Sequence, residues 1–466
     1  MNPFGTENLF IDGVALNLPI VTGGGSPLSS SLTFQKPGWL PDADVNTCPI
    51  CDSKFTAFRR KHHCRNCGRI FCSNCCSQKV PLPHFGMPDA EKVCNDCKNL
   101  VELLYKLKSD DLMLRQEGVF GLCEIIANAS GLCQVIGSGG LHLMFSLALN
   151  GDLKIKKAVA SVLNTITQRV VLNNFLLESG CLKLIKNFLV SSYDSSEILS
   201  DSLSVLNLFC MDSNLRLEVL KEGIVDPLLS LVCTSGTTAV FASRVLQLLV
   251  SHFDYHEYLL QNHSNIIKYL FDALLIEDYQ MQNCISKILV YLSAGSQAFR
   301  DLIIQEEMQK TKPLLFLMKG TCESVLVNAV CIVSNVSISI NQDIAHEYVT
   351  AMCELLSLVN DYDAELLGQI GRGLANFSEC PSNFLCVIHH LPVIISKLLK
   401  SNFEIPKMHC CRLINYLLVS ETAVVLNVLS QSGMEEFLEI LFDLPDIKDI
   451  LNNLFLRKVS RLSVSQ

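Results

Sequence analysis

Residues 58–72 read Phe58-Arg-Arg-Lys-His-His-Cys-Arg-Asn-Cys-Gly-Arg-Ile-Phe-Cys72, so fifteen positions hold five Arg/Lys, two adjacent histidines and three cysteines. The chain around them is mildly acidic, with a net charge of −9 over 466 residues. An apolar residue, a run of cations and cysteines at metal-ligand spacing describe a loop held rigid by zinc and shaped to grip an anion beside an apolar surface.

Working outward, the cysteines form four C-x-x-C pairs: Cys48/Cys51, Cys64/Cys67, Cys72/Cys75 and Cys94/Cys97. That spacing brings two thiolates onto one tight turn, so four pairs supply two tetrahedral four-cysteine sites and the expected cofactors are two Zn2+ ions. About sixty residues are too few for a sufficient apolar core, so metal binding is expected to supply most of the folding free energy of this segment. Spacing alone permits both sequential and interleaved pairing. Cys76 breaks the interval and is expected to be a free thiol. The thirteen cysteines outside 48–97 are scattered and read as small buried residues.

Three separated motifs make the segment resemble a FYVE domain. They are Trp39-Leu40-Pro41-Asp42, Arg60-Lys61-His62-His63-Cys64-Arg65 and Lys92-Val93-Cys94. The resemblance implies recognition of phosphatidylinositol 3-phosphate on early endosomes and a cross-braced domain. In that arrangement Cys48, Cys51, Cys72 and Cys75 hold the first zinc, and Cys64, Cys67, Cys94 and Cys97 hold the second. It also implies that Arg60, Lys61, His63, Arg65 and Lys92 surround the phosphates, while Asp42 and His62 contact inositol hydroxyls. Ala57 and Phe58 fall where the family inserts a loop into the bilayer. Lys92 stands where the family usually has Arg, which keeps the charge and loses the bidentate fork.

The domain's charge is balanced. Residues 39–97 hold eight Lys/Arg against six Asp/Glu, and two zinc ions with eight thiolates bring the total to about −2. Binding must therefore come from clustered cations. An unperturbed imidazole titrates near pH 6.5, so if His62 and His63 are unperturbed lipid binding is expected to tighten between about pH 7.5 and pH 6.

Beyond Asn99 the composition becomes aliphatic, with apolar residues at helical spacing such as Leu100, Leu103, Leu104 and Leu107. A long-period repeat runs through this region. Its first marker is a small-Gly element: Ser138-Gly139-Gly140-Leu141, Glu178-Ser179-Gly180-Cys181, Lys221-Glu222-Gly223-Ile224 and Gln431-Ser432-Gly433-Met434. Weaker equivalents lie near Ser264, Met308, Tyr348 and His390. Its second marker is an amide in an apolar helix: Asn128, Asn164, Asn207, Gln247, Asn335, Asn376 and Asn415, with Tyr291 in the remaining position.

This pattern resembles armadillo repeats. The expected fold is mainly α: a right-handed α-solenoid of about eight such repeats over residues 99–455, preceded by the zinc finger at 39–98. In armadillo proteins the amides line a groove that can hold an extended peptide. The alternative is that each amide satisfies carbonyls within its own stack. The only tryptophan is Trp39, so the tryptophan ladder of importin-type grooves is missing and binding of a nuclear localisation signal is not expected.

The flanks are expected to be a flexible segment at 1–38, where Phe10, Ile11 and Leu18 could form a docking motif, and a basic, serine-containing tail at 456–466. The acidic net charge argues against nucleic acid as a partner. The longest uncharged run, Ser324 to Gln342, is interrupted by polar residues and reads as a buried helix pair. No secretory signal is evident, and a cytoplasmic, peripheral location is expected. The sequence contains no catalytic constellation, and the expected function is a lipid-binding endosomal adaptor with an unidentified protein partner on the solenoid. The alternative is a soluble scaffold whose finger binds protein.

Overall fold

The computed structural model describes residues 9–12, 14–16, 36, 38–340 and 342–432. The basic tail, most of the N-terminal segment and the last small-Gly element at Gly433-Met434 lie outside the described residues. The chain divides into two units, Met1–Pro227 and Leu228–Gln466.

The first unit opens with a hairpin of β1 (Leu9–Ile11) and β2 (Val14–Leu16). The flexible lead-in expected over residues 1–38 spans these positions, of which 9–12 and 14–16 are described and pair as a hairpin. Ile11 and Leu16 are buried, the Cys133 thiol lies 4.0 Å from the Val14 carbonyl, and Arg169 pairs with Asp12 at 3.3 Å. Two apolar anchors and one ion pair offset the ordering cost of so short a segment.

The zinc finger follows, built from two small antiparallel ladders. β3 (His62–His63) pairs with β4 (Ile70–Phe71), and β5 (Gln78–Leu82) pairs with β6 (Met87–Val93). Its apolar core is small, comprising Phe71, Leu82, Phe85, Val93 and Val101 packed among the cysteines. So thin a core leaves the metal as the main source of stability.

Helix α1 (Asn95–Leu107) runs through the boundary expected at residue 98. Cys97 and Val101 belong to the finger core, while Leu100, Leu103, Leu104 and Leu107 are also buried and α1 packs on α2 (Leu112–Ile126). The close approach is made possible by Gly118 and Gly121 of α2, where an added Cβ would fall 3.0 Å and 2.5 Å from side-chain atoms of Leu107 and Leu103.

Helix triplets then succeed one another. In the first unit these are α3 (Ala129–Gly137), α4 (Gly140–Asn150) and α5 (Leu153–Thr167), followed by α6 (Asn173–Glu178), α7 (Cys181–Ser191) and α8 (Ser196–Met211). α9 (Ser213–Lys221) and the start of α10 (Val225–Val232) complete it. The second unit continues with α11 (Thr237–Val250), α12 (His256–Asn262), α13 (Ile266–Leu274) and α14 (Tyr279–Gly295). α15 (Gln297–Gln309), α16 (Pro313–Leu317), α17 (Glu323–Val336), α18 (Gln342–Leu358) and α19 (Ala364–Phe377) come next. α20 (Phe384–His389), α21 (Leu391–Ile394, continued by a π turn to Leu399), α22 (Glu404–Ser420) and α23 (Thr422–Ser432) end the described chain.

The long third helices α2, α5, α8, α11, α14, α17, α19 and α22 begin 40 to 44 residues apart, which makes the region an armadillo-like array. The small-Gly marker is the corner between the first and second helices. Gly139, Gly180 and Gly223 sit there at φ 75°, 81° and 74°, a left-handed conformation that is costly for any residue with a Cβ. The corner bends α3 against α4 by 76°.

Two later corners depart from the expected marker. Near Met308 the turn is displaced to Thr311 and Lys312, two non-glycine residues at φ 61° and 60°. Near Tyr348 there is no corner, because α18 runs unbroken through it. A second start signal accompanies the long helices. Asp111, Asp152, Asp278 and Asp363 cap α2, α5, α14 and α19 by accepting backbone N–H groups of the first turn. Among the described residues no single helix is long and apolar enough to cross a bilayer.

Candidate metal centres and headgroup cradle

The eight pair cysteines converge in two groups, Cys48/Cys51/Cys72/Cys75 and Cys64/Cys67/Cys94/Cys97, with the sulfurs of each group within 4.8 Å of one another. This is the interleaved arrangement. The Cys51 and Cys72 sulfurs lie 3.7 Å apart, which matches the edge of about 3.8 Å expected for a tetrahedron with Zn–S bonds of about 2.3 Å. The Cys72 amide points at the Cys48 sulfur at 3.4 Å and the Cys94 amide at the Cys64 sulfur at 3.3 Å, donors that stabilise thiolate ligands. The residues fit two zinc ions by number, chemistry and spacing. Cys76 joins neither group. Burial pushes its thiol up to about 12, so it stays protonated in the finger core.

Between the second knuckle and β3 the cations assemble around a ridge made by the 39–42 segment. The Leu40 amide donates to the Gly68 carbonyl at 3.1 Å, tying that segment to the knuckle. Gly68 has φ 70°, and a Cβ there would come within 2.4 Å of the Gly38 carbonyl oxygen, so the approach requires glycine. Trp39 stacks on His63 with ring centres 4.5 Å apart, and the Arg65 guanidinium lies over the Trp39 ring at 5.1 Å. Trp39 therefore contacts two of the residues expected to meet a headgroup, which goes beyond its part in the expected motif.

Each expected headgroup residue has a defined partner or exposure. His63 Nε2 donates to the Leu40 carbonyl at 2.9 Å and lies 3.6 Å from the Asp42 carboxylate. The Lys61 ammonium donates to the Asp42 carbonyl. Arg65 donates to the His63 carbonyl at 2.7 Å and faces Glu91 at 3.8 Å, an acidic neighbour that the motifs do not single out. Lys92 donates to His62 Nδ1 at 3.3 Å. Arg60 is exposed beside them. Burial first, then the charges of Lys92, Arg65 and Arg60, hold His62 below the ordinary imidazole range. The structure thus brings Asp42, Lys61, His62, His63, Arg65 and Lys92 into one connected network.

Next to it is a tight turn. Thr56 and Arg59 exchange backbone hydrogen bonds at 3.2 Å and 3.1 Å, and the Thr56 hydroxyl accepts a further one from the Arg59 amide. Ala57 and Phe58 form the tip, and Phe58 is 100% exposed. Phe55, at the base, packs against the finger core with Lys61 over its ring.

The array's amides are placed differently. Asn128 is not inside a helix: it caps α3, accepting from the Gly131 amide at 2.8 Å. Asn164 of α5 donates to Asp201 of α8 at 2.8 Å. Asn335 donates to Ser293 at 2.9 Å and accepts from Arg372 at 2.7 Å. Asn376 donates to the Ser334 carbonyl at 2.8 Å and accepts from Arg412. Asn207, Gln247 and Asn415 are half-buried on α8, α11 and α22. Asn335 and Asn376 thus use both ends of their amides to join one repeat to the next, the arrangement expected of a self-satisfied stack.

Residues 38–103 match the FYVE zinc finger family. Over 69 residues the chain is 49% identical to a lateral signaling target protein 2 homolog from Brugia malayi, a match spanning 15% of this chain and 10% of that relative. The helical region superimposes on a solved engineered protein with a TM-score of 0.50 and 17% identity, over 76% of this chain and 98% of the other. A designed armadillo repeat protein aligns over 51% of this chain and 99% of its own length at a TM-score of 0.44 and 17% identity.

Proposed function

We propose that the chain is a peripheral membrane adaptor recruited by phosphatidylinositol 3-phosphate to the cytoplasmic face of endosomes. In this reading neither the finger nor the array is an enzyme, and the array presents a surface to a protein partner. One juxtaposition carries the proposal: a network of Lys61, His62, His63, Arg65 and Lys92 stands beside a turn whose tip, Phe58, is fully exposed. An exposed phenylalanine next to clustered cations suits a site that inserts into a bilayer and holds a phosphorylated headgroup. Asp42 adds selectivity, because its carboxylate accepts from free inositol hydroxyls and repels a phosphate in their place.

The test is flotation of the full chain with liposomes that each contain one monophosphoinositide, for the wild type and for His63→Ala. Recovery is expected only with the 3-phosphate lipid and should be lost in the variant. Equal recovery with and without that lipid would overturn the proposal.

A further inference from the structure

The two zinc centres differ in where their outer hydrogen bonds come from. In the first, the Cys72 amide meets Cys48 and Ser53 meets Cys51, both from the finger. In the second, the Cys94 amide meets Cys64 and Arg69 lies beside Cys67 with its charge also reaching Cys97 and Cys94, while the Cys97 sulfur lies 3.8 Å from the amide oxygen of Gln134, on α3 of the first repeat. We propose that the repeat array completes the second zinc centre: Gln134 is a positioning residue for the Cys97 thiolate, and that centre folds as one unit with α1 to α4.

Three observations support this. Cys97 is fully buried, so a hydrogen-bond donor to its sulfur has to come from the protein and not from bulk water. A zinc-bound thiolate only accepts, and turning the Gln134 amide end over directs its N–H groups at sulfur while its oxygen takes the hydroxyl hydrogen of Ser130, now 3.4 Å from Nε2. Finally, Cys97 lies in the first turn of α1, whose leucines are buried along the array side, and Leu104 abuts Gly140 at the start of α4. Displacing the ligand therefore displaces the helix on which the first repeat packs.

The experiment uses the full-length zinc-loaded protein, Gln134→Glu and Gln134→Leu, titrated with a chromophoric chelator while hydrogen exchange is followed by mass spectrometry. Partner groups around ligating residues commonly change metal affinity by about 10–100-fold. Gln134→Glu, which sets a carboxylate against the thiolate, is expected to weaken one of the two ions by that factor and leave the other unchanged. Gln134→Leu, which removes the donor without adding charge, should shift the same ion in the same direction by less. Loss of that ion should raise exchange throughout α1 to α4. Wild-type release of both ions in both variants, or unchanged protection of α1 to α4 once the weaker ion is gone, would overturn the proposal.

Discussion

The finger and the array are stabilised by different physics. The finger has a handful of core side chains around two four-cysteine groups. The array buries leucine, isoleucine and valine at nearly every helical turn and joins its repeats through side-chain amides. In the first, chemistry is concentrated at a few irreplaceable atoms. In the second, stability is spread over many similar contacts, each worth about 1.5–3 kcal/mol per fully buried aliphatic side chain. A single substitution can therefore abolish the finger, whereas the array yields by increments.

The strongest test of that contrast is Cys94→Ser. It should reduce bound zinc from two ions to one by atomic absorption and abolish recovery on phosphoinositide liposomes, because four ligands define each centre. Two zinc ions retained with full recovery would refute the concentration of stability at those atoms.

Acid provides a second test, this time on the array. Burial pushes His142 down to about 4, below an ordinary value of about 6.5. The unfolded chain then binds a proton that the folded chain refuses, so this contribution is constant above pH 6.5 and is lost as pH falls toward 4. The loss amounts to about 3 kcal/mol at most. Denaturant titrations across that range should show a shallower acid decline for His142→Gln, and parallel profiles would remove the histidine from the account.

Phe58→Ala approaches the contrast from the opposite side. The side chain is wholly exposed, so the melting temperature should not move, while liposome affinity should fall roughly tenfold and binding of a soluble inositol 1,3-bisphosphate headgroup should stay the same. The smallest effect is expected for Asn376→Ala, which removes two inter-repeat hydrogen bonds, the one to the Ser334 carbonyl and the one from Arg412. About 1 kcal/mol by denaturant titration is anticipated, with lipid binding unaffected.

Legibility follows the same division. Cysteine pairs announce their chemistry by residue type, so the eight ligands can be read directly, while their interleaved grouping, which spacing leaves open, comes from the resemblance and is met by the two four-cysteine groups. Contacts made through backbone approach cannot be read this way: nothing in the letters of Gly38, Gly68 and Trp39 says that they meet. In the array the period is readable because a left-handed corner demands glycine, and it becomes unreadable where Thr311 and Lys312 take that conformation instead. Asn128 is misplaced by the repeat pattern for a related reason, since an amide that caps one helix sits only a residue or two past the end of another. The recurring capping aspartates mark several long-helix starts in the sequence, that of α2 among them.

Helix α1 has one more consequence, for how such a chain can be cut or inherited. It is thirteen residues, about 20 Å, of uninterrupted helix whose first turn holds a zinc ligand and whose last turn is buried with the array. No peptide bond between Cys94 and Leu107 can be severed to leave two whole modules. A finger of this kind is therefore not a bead that recombination can string in front of any partner: it has to travel with its helix, and whatever receives it must offer a groove for Leu103 and Leu107.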